Sequence, residues 1–185
     1  MRMHENRPNT GSELRIEGLL VEDGVKILQK SGVDEISSRG YGIIEDDELL
    51  LSFCEALYLL DKSNIEIFDA RGESVDSQGI LQAFRRIDKN AWAKYLTYRD
   101  FRSRGYVVRG GFGLDIDFRV YERGGYGEES ARFLILSIQE GKPIPVEILG
   151  RVMRQCQSLK KELVLAVMNR RGEIVYYSVS QFNLK

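Results

Sequence analysis

The chain has 185 residues, 43% apolar and 30% charged, a balance suited to one folded domain or two small ones. No run approaches the ~18 apolar residues of a membrane span, and nothing at the start reads as a secretory signal, so a cytoplasmic protein is expected. The single histidine, His4, excludes histidine zinc sites, Ser-His-Asp triads and Cys-His pairs unless another chain supplies the imidazole.

Residues 1–12 are polar and expected to be disordered. Residues 13–88 read as a small α+β domain. Gly18 to Leu20 suggests a short strand, and Gly24 to Gly32 a helix with Val25 and Leu28 inward and Gly32 as its stop. Glu48 to Lys62 predicts a longer helix, striped by Leu50, Phe53, Cys54, Leu57 and Leu60, with Asp46 and Asp47 available to cap it. Ile65 to Asp69 alternates like a strand, Arg71-Gly72 marks a turn, and Val75 to Ile87 predicts another helix.

Residues 89–185 predict a nuclease-like α/β domain around a central mixed sheet of four or five strands with two helices against it. Ala91 to Arg104 reads as a helix with Trp92, Tyr95 and Leu96 buried. Tyr106 to Arg109 is a strand. Asp115 to Tyr121 alternates strictly, which places Ile116, Phe118 and Val120 on one face and Asp117, Arg119 and Tyr121 on the polar other. Arg132 to Ile138 follows as an apolar strand. Pro143 and Pro145 introduce a helix from Val146 to about Leu159, and two strands close the chain, Leu163 to Met168 and Glu173 to Phe182. Cys54 and Cys156 lie in helical apolar patterns and read as buried thiols. The fold class expected is therefore α+β.

The charge is lopsided. From Lys89 onward there are 17 basic and 10 acidic residues, whereas the rest of the chain has 10 basic and 18 acidic. A basic half suggests a polyanionic partner. Arg99, Arg102, Arg104, Arg109 and Arg119, interleaved with Tyr98, Tyr106 and Phe112, fit a nucleic-acid-facing surface. Gly110 to Gly113 is no phosphate-binding loop, because no helix with Lys-Ser/Thr follows it. Asp115, Asp117 and Lys161 would fit a metal-dependent deoxyribonuclease, but no Glu-x-Lys sits on the next strand. Lys160 and Lys161 end a helix, where cations complement the dipole; at the mouth of a sheet the same ammonium would stabilise phosphate charge.

"KYLTYRDFRSRGYVVRGGFGLDIDFRVYERG" (Lys94 to Gly124) resembles the archaeal tRNA-splicing endonucleases, whose shared pattern is Lys-Tyr-x-x-Tyr-x-Asp-Leu-Arg-x-Arg-Gly-Tyr-x-Val-Lys-x-Gly followed by Asp-Phe-Arg-x-Tyr. The likeness continues through "SARFLIL", "SLKKELVLAV" and "GEIVYYSV", and earlier through "SSRGYG" and "LSFCEALYLL". The resemblance implies cleavage of pre-tRNA at bulge–helix–bulge junctions, with no metal or cofactor, to a 2′,3′-cyclic phosphate and a 5′-hydroxyl. It implies a tyrosine general base, Tyr121, and a lysine that stabilises the crowded phosphorane, Lys161. The basic run is expected to contact RNA through Arg99, Arg102, Arg104 and Arg119, and the chain is expected to work in a homo- or hetero-oligomer, typically a tetramer, pairing through Ile174, Val175, Tyr176 and Tyr177.

The histidine that serves the family as general acid has no counterpart here. Counting back from Phe133 puts its position at Ser130, and counting forward from Tyr121 reaches Ala131; the strand is the firmer anchor, so Ser130 is taken. A serine hydroxyl alone is too weak an acid near pH 7, and losing a general acid costs ~10²–10⁴ in rate. Three explanations follow: a non-catalytic subunit that positions a catalytic relative, which is preferred; a histidine deliberately replaced to trap substrate; or Glu128 or Glu129 as the acid, against the expectation for exposed carboxyls. The loop before the last strand, Asn169-Arg170-Arg171-Gly172, is basic where the resemblance implies an acidic docking loop, so this chain is expected to receive such a loop or to assemble differently.

Overall fold

A computed structural model describes residues 16–111, 115–127 and 130–182. The expected disordered leader with His4, the aromatic Phe112, and Glu128 and Glu129 lie outside the described residues.

The first half forms a five-stranded sheet of β1 (Ile16–Val21), β2 (Gly24–Ile27), β3 (Ile43–Glu45), β4 (Glu48–Leu51) and β5 (Ile65–Phe68), in the order β3-β4-β2-β1-β5. Only the β1–β5 pair is parallel among these. Helices α1 (Lys30–Ser38), α2 (Phe53–Asp61) and α3 (Ser77–Ile87) accompany it.

Two expected helices are corrected. Gly24 to Ile27 is a strand, with Val25 and Ile27 buried and Lys26 half-exposed, the period of two that a half-buried strand requires. Gly24 lies against the Leu51 carbonyl, where a Cβ would come within 2.0 Å of the oxygen. Helix α1 begins only at Lys30. The expected Glu48–Lys62 helix divides at Ser52 into β4 and α2. Ser52 accepts from the Glu55 N–H while the Glu55 carboxylate takes the Ser52 N–H at 2.9 Å, a reciprocal cap that fixes the helix start. Asp46 and Asp47 cap nothing; with φ of 49° and 66° they make the β3–β4 turn.

The second half forms α4 (Ala91–Ser103), β6 (Val107–Gly110), β7 (Phe118–Tyr121), β8 (Phe133–Gln139), α5 (Val146–Ser158), β9 (Glu162–Met168) and β10 (Ile174–Val179). Its sheet order is β10-β9-β8-β7-β6, antiparallel except for β8 and β9, which run parallel through the α5 crossover. Helix α4 packs on one face against Val108, Phe118, Val120, Ile135 and Ala166, in a core continuous with that of the first half. Helix α5 covers the other face through Val152 and Cys156, against Ile116, Leu134 and Leu163. The fold is α+β, as expected. Both cysteines are buried free thiols, and burial pushes the Cys54 thiol well up.

Three details differ from the sequence reading. Trp92 is 37% exposed; the buried side of α4 runs through Ala91, Ala93, Tyr95, Leu96 and Tyr98. Tyr98 is therefore core and unavailable to stack on a base. Asp117 does not share the open face of Tyr121. Its side chain is 7% exposed and pairs with Lys94 at 2.6 Å, and it accepts the Ser137 N–H at 2.6 Å. Burial pushes the Asp117 carboxyl up against the pull of Lys94. Burial alone would lower Lys94, but Asp117 and Asp88 outweigh it and raise it.

Candidate active site

Strands β7, β8 and β9 are neighbours, and their pairing brings three distant segments together at one end of the sheet. The Arg132 N–H donates to the Val120 carbonyl at 3.0 Å, and the Glu162 N–H donates to the Arg132 carbonyl at 3.2 Å. Tyr121 ends β7, Ser130 lies just before β8, and Lys161 lies just before β9. Tyr121 and Lys161 thus stand about two strand spacings apart, roughly 10 Å, and neither is buried.

Local geometry holds each one. Helix α5 ends at Ser158, with Leu159 as its C-cap; Lys160 takes a left-handed φ of 54°, and the Lys161 N–H returns to the Cys156 carbonyl at 2.9 Å. This turn aims Lys161 at β8, where its Nζ donates to Ser130 Oγ at 2.5 Å. Ser130 is exposed, whereas the adjacent Ala131 is buried, so of the two candidate positions Ser130 is the one that meets Lys161. Both line an open pocket of about 290 Å³ with Glu122, Arg132, Lys160 and Glu162. The Arg132 guanidinium is bound by Glu122 and, at 3.1 Å, by Glu162.

The Tyr121 ring meets Tyr126 edge-on, with centroids 5.1 Å apart and planes at 87°. Tyr126 touches the first half in turn: a Cβ on Gly40 would come within 3.3 Å of its ring and 3.1 Å of Val107. Arg109 secures that junction by donating to the carbonyls of Gly40 at 3.1 Å and Gly42 at 2.5 Å. Arg109 is thus a structural clamp between the halves, not part of an open nucleic-acid surface. The sequence reading missed this brace, and its signal was the Gly-x-Gly of "SSRGYG", where both glycines have φ near 70° (77° and 66°).

The four arginines expected to meet RNA occupy different settings. Arg99 is exposed and lies over the Tyr95 ring. Arg104 pairs with Asp100 at 3.0 Å. Arg102 stacks on Tyr41, its Cζ 3.8 Å from the ring centroid, and donates to the Arg39 carbonyl. Arg119 donates to the Gly110 carbonyl at 2.8 Å. Arg99 and Arg104 share a cleft of about 640 Å³ with Lys62, Asp61 and Glu173.

On β10, Ile174 and Tyr176 turn inward, and the Tyr176 hydroxyl donates to Asp100 at 2.6 Å. Val175 and Tyr177 face outward, 42% and 53% exposed, on a strand that edges its sheet. The carboxylates of the metal-nuclease reading are engaged elsewhere, Asp115 with Arg151 at 2.5 Å and Asp117 with Lys94. Among the described residues no three His, Cys, Asp or Glu side chains group as a metal site, and no helix is long and apolar enough to cross a membrane.

Residues 16–80 match the family model for the N-terminal domain of tRNA intron endonucleases, and residues 91–176 match the model for their catalytic C-terminal domain. The chain belongs to the tRNA intron endonuclease family. It is 31% identical over 169 residues to the tRNA-splicing endonuclease of Methanococcus maripaludis, covering 91% of this chain and 96% of that one. To the tRNA-splicing endonuclease of Pyrococcus furiosus it is 32% identical over 166 residues, 89% and 95% of the two chains. To that of Methanothermobacter thermautotrophicus it is 32% identical over 168 residues, 90% and 97%. The stretch matched to the tRNA intron endonuclease catalytic domain contains Tyr121, Ser130 and Lys161.

Proposed function

We propose that this chain is a subunit of a tRNA-splicing endonuclease that acts on pre-tRNA at bulge–helix–bulge junctions, giving 2′,3′-cyclic phosphate and 5′-hydroxyl ends. The observation that carries this reading is the gathering of Tyr121, Ser130 and Lys161 at one end of three adjacent strands. In this reading Tyr121 takes the proton of the attacking 2′-hydroxyl, and Lys161 offsets the charge that builds on the phosphorane oxygens. The leaving 5′-oxygen lacks the imidazole that would protonate it, so the last step is impaired. Arg99, Arg102, Arg104 and Arg119 are assigned to RNA contact, with Arg102 acting through its edge because its face is stacked on Tyr41. Assembly into a tetramer is assigned to β10, through the outward Val175 and Tyr177, with Ile174 and Tyr176 supporting them from beneath.

The test is a binding and cleavage assay with bulge–helix–bulge RNA in chelator, together with the mass of the species in solution. Tight RNA binding by an oligomer, with slow cleavage or none, is the expected result. Failure to bind, or strict dependence on Mg²⁺, overturns the reading. A purely structural subunit would keep its RNA affinity when Arg99, Arg102 and Arg104 are reversed in charge. A subunit with no turnover of its own is the bland form of this function; the Ser130–Lys161 hydrogen bond favours a substituted site that still turns over.

A further inference from the structure

We infer that Ser130 and Lys161 form a proton relay that replaces the absent imidazole, with Ser130 as the group that protonates the leaving 5′-oxygen. The inference rests on the reading above and deepens it. A serine hydroxyl has one hydrogen to donate and two lone pairs to accept with, whereas an ammonium can only donate. With Lys161 Nζ donating to Ser130 Oγ at 2.5 Å, the serine hydrogen must point elsewhere. Ser130 is exposed and lines the same open pocket as Lys161, so the free hydrogen has the pocket available to it. The serine thus presents a proton outward while a cation feeds it from behind.

This removes the objection to serine as an acid. A lone hydroxyl would have to end the step as an alkoxide, which is unfavourable near neutral pH. In the relay, Ser130 gives its proton to the 5′-oxygen as the phosphorus–oxygen bond breaks, and Oγ takes a proton from Lys161 in the same step. The serine finishes neutral, and the lysine finishes as the amine. The 2′-oxygen has by then formed its bond to phosphorus, its proton having passed to the oxygen of Tyr121, which enters the step as the phenolate and leaves it as the phenol. Water returns that proton to Lys161, so the transesterification balances without metal, oxidant or cofactor. The neighbouring cation Arg132 does not compete for the role, because Glu122 and Glu162 both hold its guanidinium.

The pairing is fixed by architecture rather than by side-chain chance. β8 and β9 run parallel with Phe133 opposite Glu162, so the residues that lead into them are neighbours although 31 positions apart.

The experiment uses the full chain with bulge–helix–bulge RNA in chelator. One substrate is ordinary, and in the other sulfur replaces the bridging 5′-oxygen at the cut, a leaving group that needs no proton. Ser130→Ala is expected to lower kcat on the ordinary substrate by about 10²–10⁴-fold, the usual cost of a lost general acid, with KM little changed. On the sulfur substrate Ser130→Ala should match the unsubstituted protein. Lys161→Arg, which keeps the charge but does not release a proton, should be slow on the ordinary substrate.

RNA that is bound but never cut by the unsubstituted chain overturns the relay and leaves the proposed function standing. RNA that is not bound at all overturns both. A Ser130→Ala protein as fast as the original, one that sulfur fails to rescue, or a fully active Lys161→Arg each overturns the relay.

Discussion

Arg109 and Glu55 face each other across the two halves of the chain, Nη1 to Oε1 at 3.5 Å, with only 15% and 7% of their side chains exposed. Each has further obligations: the guanidinium serves the Gly40 and Gly42 carbonyls, and the carboxylate takes the Gly42 N–H at 3.0 Å and caps α2. Removing one member leaves the other charged and buried without its counter-ion. Arg109→Ala should therefore destabilise the protein by about 3–5 kcal/mol, measured by urea unfolding. A loss below about 1 kcal/mol, the worth of an exposed pair, would show that the junction is not the brace described.

Tyr126 should matter to Tyr121 beyond its contribution to packing. An edge-to-face ring pair is worth about 0.5–1.5 kcal/mol, and Tyr126→Ala should lose an amount in that range by thermal unfolding. The same variant should also slow cleavage through kcat, because the phenol loses its lateral support. Tyr126→Phe keeps the ring and should restore both. Equal cleavage by all three proteins would remove Tyr126 from any positioning role.

Measured against Ser130→Ala, Ser130→His should raise metal-independent cleavage of bulge–helix–bulge RNA by up to about 10²–10⁴-fold. The pH–rate profile should also gain a limb near ~6.5, where an unperturbed imidazole titrates. Ala131→His, which would point from a buried position, should give no such gain. Rates measured across pH 5–9 in chelator decide between them.

RNA binding should reveal its ionic part through salt. Reversing Arg99 or Arg104 should weaken binding across RNA sequences. It should also shrink the slope of log affinity against log salt by about one for each phosphate that is no longer neutralised. A slope unchanged by both substitutions would move the RNA path off the α4 surface.

Two phenols link stability to alkaline pH. Burial pushes Tyr95 and Tyr176 up, and the hydrogen bonds to Asp61 and Asp100 push them further. Below about pH 10 folded and unfolded chains both hold these protons, so the stabilisation is fully present. As the pH rises above that, the unfolded chain releases its protons first and the stabilisation is lost on the way to the raised folded values. Urea midpoints should therefore fall above pH 10, and Tyr176→Phe should flatten that fall.

The second half was more legible in sequence than the first because its signals are longer. The Phe133–Gln139 and Glu162–Met168 strands each run seven residues, and Pro145 marks the start of α5. In the first half, four-residue strands lie beside helices, and an apolar run such as Leu49 to Leu60 fits a helical stripe as well as a strand that turns into a helix. The Ser52–Glu55 cap was the mark that distinguishes them. Alternation put Asp117 with Tyr121, but sequence cannot show that Lys94, from another element, draws a carboxylate inward. The neighbourhood of Tyr121 and Lys161 was legible only through the family resemblance, because two pairings across three strands create it. The ring of Tyr126, the clamp of Arg109 and the touch of Lys161 on Ser130 all join segments far apart in the chain, and no local pattern announces them.

The parallel β8–β9 pair also frees the segment between its strands. Because Ser130 and Lys161 lie at two adjacent strand starts and the last turn of the 13-residue helix aims Lys161, the loop that leads from β8 into that helix carries no positional information for them. Evolution is free to lengthen, shorten or redecorate Glu140 to Pro145 while Ser130 and Lys161 stay in place.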